Sequence, residues 1–194
     1  MSSGRITYPD LKKRVERLAN SLLPADVLSG TYSDKQEDQI HAYIVLAHAE
    51  IEEFLERLAQ YVLDRARRNS TPPQCVPVIS RLILYKSARG NEKIDGITVE
   101  SIASAVTYYE NILTRNHGIK ADNLFKMYMP LGLTHDDFDP VLMQELDAFG
   151  TLRGGIAHTA ARLKQGSSPS KERRKVESIV AELSHLDQKI RALQ

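Results

Sequence analysis

The sequence predicts an all-α protein, and three observations support this fold class. Apolar residues recur at three- and four-residue steps in segment after segment, which is the spacing of amphipathic helices. Prolines and glycines separate these segments. No run of alternating apolar and polar residues is long enough to indicate a sheet. We therefore expect more than about two-thirds of the residues in helix, against a base rate of about one-third.

The first two helices are predicted from apolar spacing and from their ends. Asp10–Leu23 has helical spacing, and Pro24 ends it. Ser33 is the expected N-cap of a long helix, Asp34–Arg68, with Gln36 as its capping-box partner. The predicted buried stripe of this second helix contains Ile40, Ile44, Ala47, Ile51, Phe54, Leu58 and Val62.

Five further helical segments follow the prolines at positions 72, 73 and 77, which should interrupt the chain. Arg89–Gly96 is predicted as a turn-rich loop between the first two of them. The final segment has a heptad-like seam that either docks on the domain or pairs with another chain. The predicted segments are Val78–Ser87, a helix capped by Thr98 and ending near Arg115, Ala121–Met129, a helix opened by the acids of Asp136–Asp139 and running through Leu152 towards Leu163, and Lys171–Leu193.

A linker by composition, Gln165–Ser170, divides the chain in this interpretation. Residues 1–164 would form a helical domain, and residues 165–194 a linker and C-terminal helix.

Charge and cysteine content narrow the classes of function. Twenty-six Lys and Arg residues balance 25 Asp and Glu residues. This near-neutral charge excludes a histone-like protein that neutralises many phosphates, but it does not exclude a local basic site. The lone cysteine, Cys75, forms no disulfide within the chain, and no Cys/His spacing indicates a metal site. No apolar stretch is long enough for a signal peptide or a membrane span. We expect a cytoplasmic protein that uses neither a metal nor another cofactor.

The stretch TLRGGIAHTA carries the best candidates for chemistry, Arg153 and His158. In a helix, five residues turn through roughly 500°, so the two side chains point about 140° apart. They would meet only at a cleft along an edge between packed elements. Gly154 and Gly155 between them cost about 1 kcal/mol each in a helix relative to alanine. Two glycines allow a phosphate, a partner helix or another backbone to come close.

An arginine and a histidine suit the cleavage of RNA. The guanidinium offers a permanent charge and a planar fork to phosphate oxygens, and an imidazole with a reference pKa near ~6.5 moves protons at neutral pH. The RNA supplies its own nucleophile, the 2′-hydroxyl, so this route needs no metal. The same spacing also occurs by chance, as a surface arginine and a histidine that only packs or caps.

The segment RGGIAH (153–158) resembles the Arg-x4-His motif of HEPN domains, in particular the RiboL-PSP-like branch. HAEIEEFLERL (48–58) is similar to the acidic, aromatic second helix of that branch. NHGIKADNLFKMYMPLG (116–132) and LDAFGTLRGGIAH (146–158) are similar to the run that leads into its motif. The resemblance covers about Ile40 to Ala160.

The resemblance implies a HEPN-type helical bundle, here with a long second helix and a C-terminal heptad-like helix. It also implies a homodimer that brings two motifs together, metal-independent endoribonuclease activity, and Arg153 and His158 as the active-site pair. Many members of the family have a polar residue after the arginine, where this chain has Gly154. Related enzymes act as toxins or in defence against phage, so the implied partners are RNA, a second copy of the chain and an antitoxin or other regulatory protein.

Three further residues are candidates for supporting roles. His48 and Glu52 are i,i+4 neighbours beside the core stripe, where the glutamate could orient a histidine or pair with Arg153; a solvated helix flank is the alternative. Asn116, next to His117, lies at a predicted helix end, where capping also explains it.

Two basic runs could guide RNA. A pair of tyrosines is expected in the core or at its rim, rather than as a platform on which bases stack. These residues are Arg65, Arg67, Arg68, Lys171, Arg173, Arg174, Lys175, Tyr108 and Tyr109.

Three functions therefore remain open from the sequence. The first is a dimeric endoribonuclease, the second a non-catalytic HEPN-type module that binds RNA or a partner protein, and the third a plain helical scaffold.

Overall fold

The computed structural model describes residues 7–90, 93, 96–158 and 168–193, without the side chains of residues 157 and 158. This part of the chain is 77% helical and contains seven α-helices and no β-strand, so the all-α prediction is confirmed. No helix in it is long and apolar enough to cross a membrane. The elements are α1 (Tyr8–Leu22), α2 (Asp34–Arg68), α3 (Pro77–Gly90), α4 (Val99–Arg115), α5 (Ala121–Tyr128), a 3₁₀ turn (His135–Asp137), α6 (Pro140–His158) and α7 (Pro169–Ala192).

Helix α2 is the centre of the fold, and all six other described helices pack against it. Every residue of its predicted stripe is buried. The buried surface is wider than that stripe, because neighbours cover α2 on more than one side. The additional buried residues are Tyr43, His48, Leu55, Ala59, Leu63 and Ala66.

The seam of α7 is buried within the chain itself. Helix α7 packs on α2, α1 and α6, and its buried apolar residues include Leu183, which is fully enclosed. At its C-terminal end, the guanidinium of Arg65 in α2 donates to the backbone carbonyls of Arg191, at 2.9 Å, and Leu193. At its N-terminal end, the carboxylate of Asp26 accepts the hydroxyl of Ser168 at 2.7 Å. These bonds fix both ends of α7 to the rest of the bundle.

Several predicted helix ends were wrong by a few residues, and capping explains most of the errors. Helix α1 begins at Tyr8, because Thr7 and Asp10 form a capping box. Helices α3 and α7 begin at prolines, whose missing N–H is tolerated in a first turn.

Two loops also differ from the predictions. Helix α3 continues to Gly90 and takes up the start of the predicted loop. Asp136 and Asp137 lie in a separate 3₁₀ turn that Thr134 caps, and α6 begins only at Pro140, where Asp139 accepts the backbone N–H groups of Val141 and Leu142. The predicted continuation of α6 towards Leu163 lies outside the described residues.

The buried face of α7 gives a direct prediction about stability. We expect Leu183→Ala to lower the free energy of unfolding by about 2–5 kcal/mol, because it deletes a fully buried side chain. The same substitution at Leu84, which is 59% exposed on α3, should change stability by less than about 0.5 kcal/mol. Urea unfolding followed by circular dichroism measures both values. Equal values for the two variants would mean that α7 is not part of the cooperative core.

Candidate active site

Helix α6 brings Arg153 to a cavity of about 220 Å³ that we call the site cleft. Helix α2 contributes His48 and Glu52 to its wall, and α6 contributes Arg153 and Gly150. The remaining wall, His117, Gly118, Ile119, Lys120 and Asn123, comes from the α4–α5 loop and the start of α5. Three of the sequence-predicted site residues, separated by about a hundred positions, therefore share one cavity.

His48 is a buried, neutral histidine at the bottom of this cleft. Its side chain is only 5% exposed, and its ring centroid lies 6.0 Å from that of Phe149. Burial is the main cause that lowers the pKa of His48; the positive charge of Arg153 lowers it further, and the carboxylate of Glu52 opposes both. Because the pKa lies below its usual value near 6.5, His48 is uncharged at neutral pH.

Glu52 connects α2 to the loop that carries His117. One carboxylate oxygen lies 3.5 Å from Nδ1 of His48, and the other accepts the backbone N–H of Gly118. Gly118 has a φ of +107°, a backbone conformation that favours glycine. The carboxylate of Glu52 therefore stabilises a turn whose backbone conformation would be strained for most residues other than glycine.

Asn116 lies behind the cleft and not in its wall. It is buried and shares reciprocal bonds with Asn123. The amide of Asn116 donates to the Asn123 carbonyl at 3.1 Å, and the amide of Asn123 donates to Oδ1 of Asn116 at 3.0 Å and to the His117 carbonyl at 2.8 Å. Asn116 thus fixes the shape of the loop and, through it, the position of His117.

Glu56 is an addition to the site that the sequence interpretation missed, and His117, which was interpreted there as part of a helix end, is a second addition. The exposed imidazole of His117 and the carboxylates of Glu52 and Glu56 each place one ligand atom within 4.8 Å of the others, a set that suits a divalent cation. Burial and the neighbouring Glu52 raise the pKa of Glu56, and His117 opposes that rise. The i,i+4 spacing of the two glutamates was visible in the sequence, whereas the approach of His117 depends on the loop.

The motif residues lie on one continuous helix, because α6 runs without a break from Pro140 to His158. Arg153 is exposed at the cleft, and His158 follows about 7.5 Å further along the axis. The side chain of His158 is outside the described residues. A Cβ at Gly154 or Gly155 would meet no described atom within 4 Å, so packing within the described chain does not require either glycine.

The basic runs predicted as RNA guides are partly engaged in structural contacts. Arg65 binds carbonyls at the end of α7, Arg173 pairs with Glu177 at 2.8 Å, and Lys175 pairs with Glu172 at 3.0 Å. These cations stabilise α7 and its packing.

Comparison with known proteins supplies one match. A family model described as RiboL-PSP-HEPN matches residues 9–192. The match extends beyond the resemblance over Ile40–Ala160 and takes in both α1 and α7. No curated protein and no solved structure matches the chain.

The buried histidine predicts a dependence of stability on pH. A histidine whose pKa is lowered by folding binds its proton more tightly in the unfolded state, so stability is full above about pH 6.5 and is lost as the pH falls through that value. We expect His48→Gln to remove this loss between about pH 6.5 and pH 5. The measurement is the free energy of unfolding of wild type and variant across that range. His185→Gln is the control, because that side chain is 73% exposed on α7. The same pH dependence in wild type and His48→Gln would contradict the assignment.

Proposed function

Because the chain belongs to the RiboL-PSP-HEPN family, we propose that it is a metal-independent endoribonuclease that works as a homodimer. The observation that supports the proposal best is the position of Arg153. The helix of the Arg-x4-His motif presents this guanidinium to a cleft that also contains His48, Glu52 and His117. A cation beside proton-carrying groups in a cavity is what cleavage of a phosphodiester requires.

In the proposed reaction, Arg153 holds the scissile phosphate and stabilises the charge that develops on its oxygens. His158 removes the proton of the RNA 2′-hydroxyl, and that oxygen attacks phosphorus. The bond from phosphorus to the 5′-oxygen breaks, and the leaving oxygen receives a proton. His158 of the partner subunit or His117 is the candidate donor. The products are a 2′,3′-cyclic phosphate and a 5′-hydroxyl.

His48 and Glu52 are positioning residues in this proposal. The buried ring of His48 lines the cleft with Arg153 and lies beside Phe149, so it fixes the shape of this part of the wall. Glu52 stabilises the turn at Gly118 and thereby the position of the neighbouring His117 in the cleft wall. Neither side chain needs to touch the reacting atoms.

The dimer is proposed from Gly154 and Gly155. No described atom lies within 4 Å of a Cβ at either glycine, and an isologous interface at this point would place the same helix of two copies face to face. Glycines let two backbones approach closely, and such an interface would bring the two copies of the motif together. A role as a toxin or as an effector against phage, controlled by an antitoxin-like protein, is part of the same proposal.

A non-catalytic module that binds RNA or a protein is the second candidate. Gly154 favours it, because the polar residue that many members of the family have after the arginine is absent. This candidate predicts RNA binding without cleavage.

The catalytic proposal predicts the effect of three substitutions on RNA cleavage. We expect His158→Ala to lose roughly 10²–10⁴-fold of the rate, because a positioned proton-transfer group contributes that much. Arg153→Ala should be similarly impaired, and Arg153→Lys should recover little, because an ammonium cannot replace the bidentate fork. The assay is cleavage of a labelled RNA in EDTA, with end-group analysis for the cyclic phosphate.

Matched controls separate catalysis from general effects of charge. His185→Ala and Arg17→Ala remove the same side-chain types from exposed positions far along the sequence, and both should cleave normally. His117→Ala tests the alternative proton donor. Expression of wild type, but not of His158→Ala, should arrest cell growth if the protein is a toxin. Wild-type protein that cuts no RNA, or His158→Ala that cuts as well as wild type, would leave the binding module as the better candidate.

The dimer proposal predicts that a large side chain at Gly155 weakens association. Gly155→Leu should favour the helix of the single chain, because the site is open and leucine is the better helix former. In a dimer it would keep the two helices apart, and we expect at least about tenfold weaker association. Sedimentation velocity at micromolar concentration measures this, with Ala103→Leu on an exposed position of α4 as the control. A wild-type monomer, or an unchanged dimer in Gly155→Leu, contradicts the proposed interface.

A further inference from the structure

A second and larger depression, which we call the basic cleft, adjoins the site cleft. Its volume is about 570 Å³. Helices α3, α4 and α5 form its walls, with Tyr85, Arg89, Tyr108, Asn111, Arg115 and Lys126 among the lining residues. It shares His117 and Asn123 with the site cleft, so the two clefts meet at the α4–α5 loop and the start of α5.

The basic cleft concentrates positive charge that the whole chain does not show. The chain has a formal net charge of +1, yet Arg89, Arg115 and Lys126 all line this one surface, and no described lining residue is an Asp or Glu. All three cations are solvent-exposed. A groove with several cations and no lining carboxylate attracts a polyanion.

The aromatic side chains of the cleft distinguish it from a simple charged patch. The ring centroids of Tyr85 and Tyr108 lie 6.5 Å apart with their planes at 53°, and the guanidinium of Arg89 lies over Tyr85 at 4.6 Å. Both tyrosines are half-buried at the surface. Tyr85 therefore contacts both the ring of Tyr108 and the guanidinium of Arg89, and the three planar groups form one cluster in the cleft. Tyrosine rings and guanidinium planes are the groups on which unpaired bases stack.

The remaining polar groups suit the edge of a base. The amide of Asn111 is exposed on α4 between the tyrosine and the cations, and an amide both donates and accepts hydrogen bonds. Exposed cations with aromatic planes and an amide match a single strand better than a duplex, whose bases are stacked within the helix.

We propose that the basic cleft binds the single-stranded RNA that flanks the scissile phosphate, with one base stacked on Tyr108 and backbone phosphates held by Arg115 and Lys126. The strand would continue past His117 into the site cleft and reach Arg153. The inference rests on the proposed function for its substrate, and it adds that the substrate is unpaired on that side of the cut.

Binding can be measured apart from cleavage. The full chain with His158→Ala is titrated into a fluorescein-labelled 12-nucleotide single-stranded RNA and into the duplex of the same sequence, and anisotropy is recorded. We expect the single strand to bind more tightly. Tyr108→Ala should weaken its binding roughly tenfold, whereas Tyr108→Phe, which keeps the ring, should bind like the parent. Thermal melts of both variants check the fold.

The cations are tested by the dependence of binding on salt. In Arg115→Gln/Lys126→Gln, the slope of log K against log salt concentration should fall by about 1.4, the value for two phosphate contacts to a single strand. Arg17→Gln/Lys35→Gln removes the same charge from exposed positions of α1 and α2 outside the cleft and should leave the slope unchanged.

The outcomes separate this inference from the proposed function. Binding that depends on Tyr108 in a wild-type protein that never cleaves supports the cleft and contradicts the nuclease. Cleavage and binding that are unaffected by substitution of Tyr108, Arg115 and Lys126 support the nuclease and overturn the proposed role of the basic cleft. Tighter binding of the duplex than of the single strand would also overturn it. So would a polyglutamate peptide that binds as tightly as the single strand and is unaffected by Tyr108→Ala, because either result means a general site for polyanions.

Discussion

The burial of α2 is the constraint on which the rest of the structure depends. A helix of 35 residues is about 52 Å long, and each of the other described helices covers part of it. A side chain on the covered faces of α2 is therefore apolar unless it has a close partner. His48 is the buried polar side chain of α2, and it lies with the partly buried Glu52 where the α4–α5 loop and α6 approach α2. At the site cleft, the apolar core therefore borders a group of polar side chains.

The cleft combines charges of both signs, and this limits how it can receive a phosphate. Arg153 and Lys120 attract the phosphate, while Glu52 and Glu56 repel it. The hydrogen bond from the backbone N–H of Gly118 to the carboxylate of Glu52 reduces part of that repulsion. The positive end of the cleft, towards Arg153, therefore remains the natural position for an anion.

Periodicity predicted the fold because burial is a local property of a helix face. The stripe of α2 and the seam of α7 could be derived from spacing alone. Most of the missed helix ends were set by a cap such as Thr7 or by a proline, whereas α3 continues to Gly90 without either signal. Within the site, His48 and Glu52 were predicted because they share one helix face.

Residues whose position depends on a loop were beyond the same reasoning. His117 was interpreted as part of a helix end, and its place in the cleft depends on Gly118, Asn116 and Asn123 acting together. Tyr108 was expected at the core or its rim; it stands beside Tyr85 only because α3 packs on α4. A contact between side chains of two different elements cannot be predicted from the spacing of residues within either element.

The length of α2 also determines which part of the site can adapt to a ligand. The helix that carries His48 is the one whose Arg65, about 26 Å further along, is bonded to the end of α7. Local opening at His48 would disturb the contacts of α2 with several other helices, so the amides in this part of α2 should exchange with solvent only when the bundle opens. The α4–α5 loop is held by a few side-chain bonds, those of Glu52, Asn116 and Asn123, which can open without unfolding of the bundle. Adjustment to a bound strand is therefore a property of the wall that carries His117, while the wall formed by α2 acts as a fixed reference.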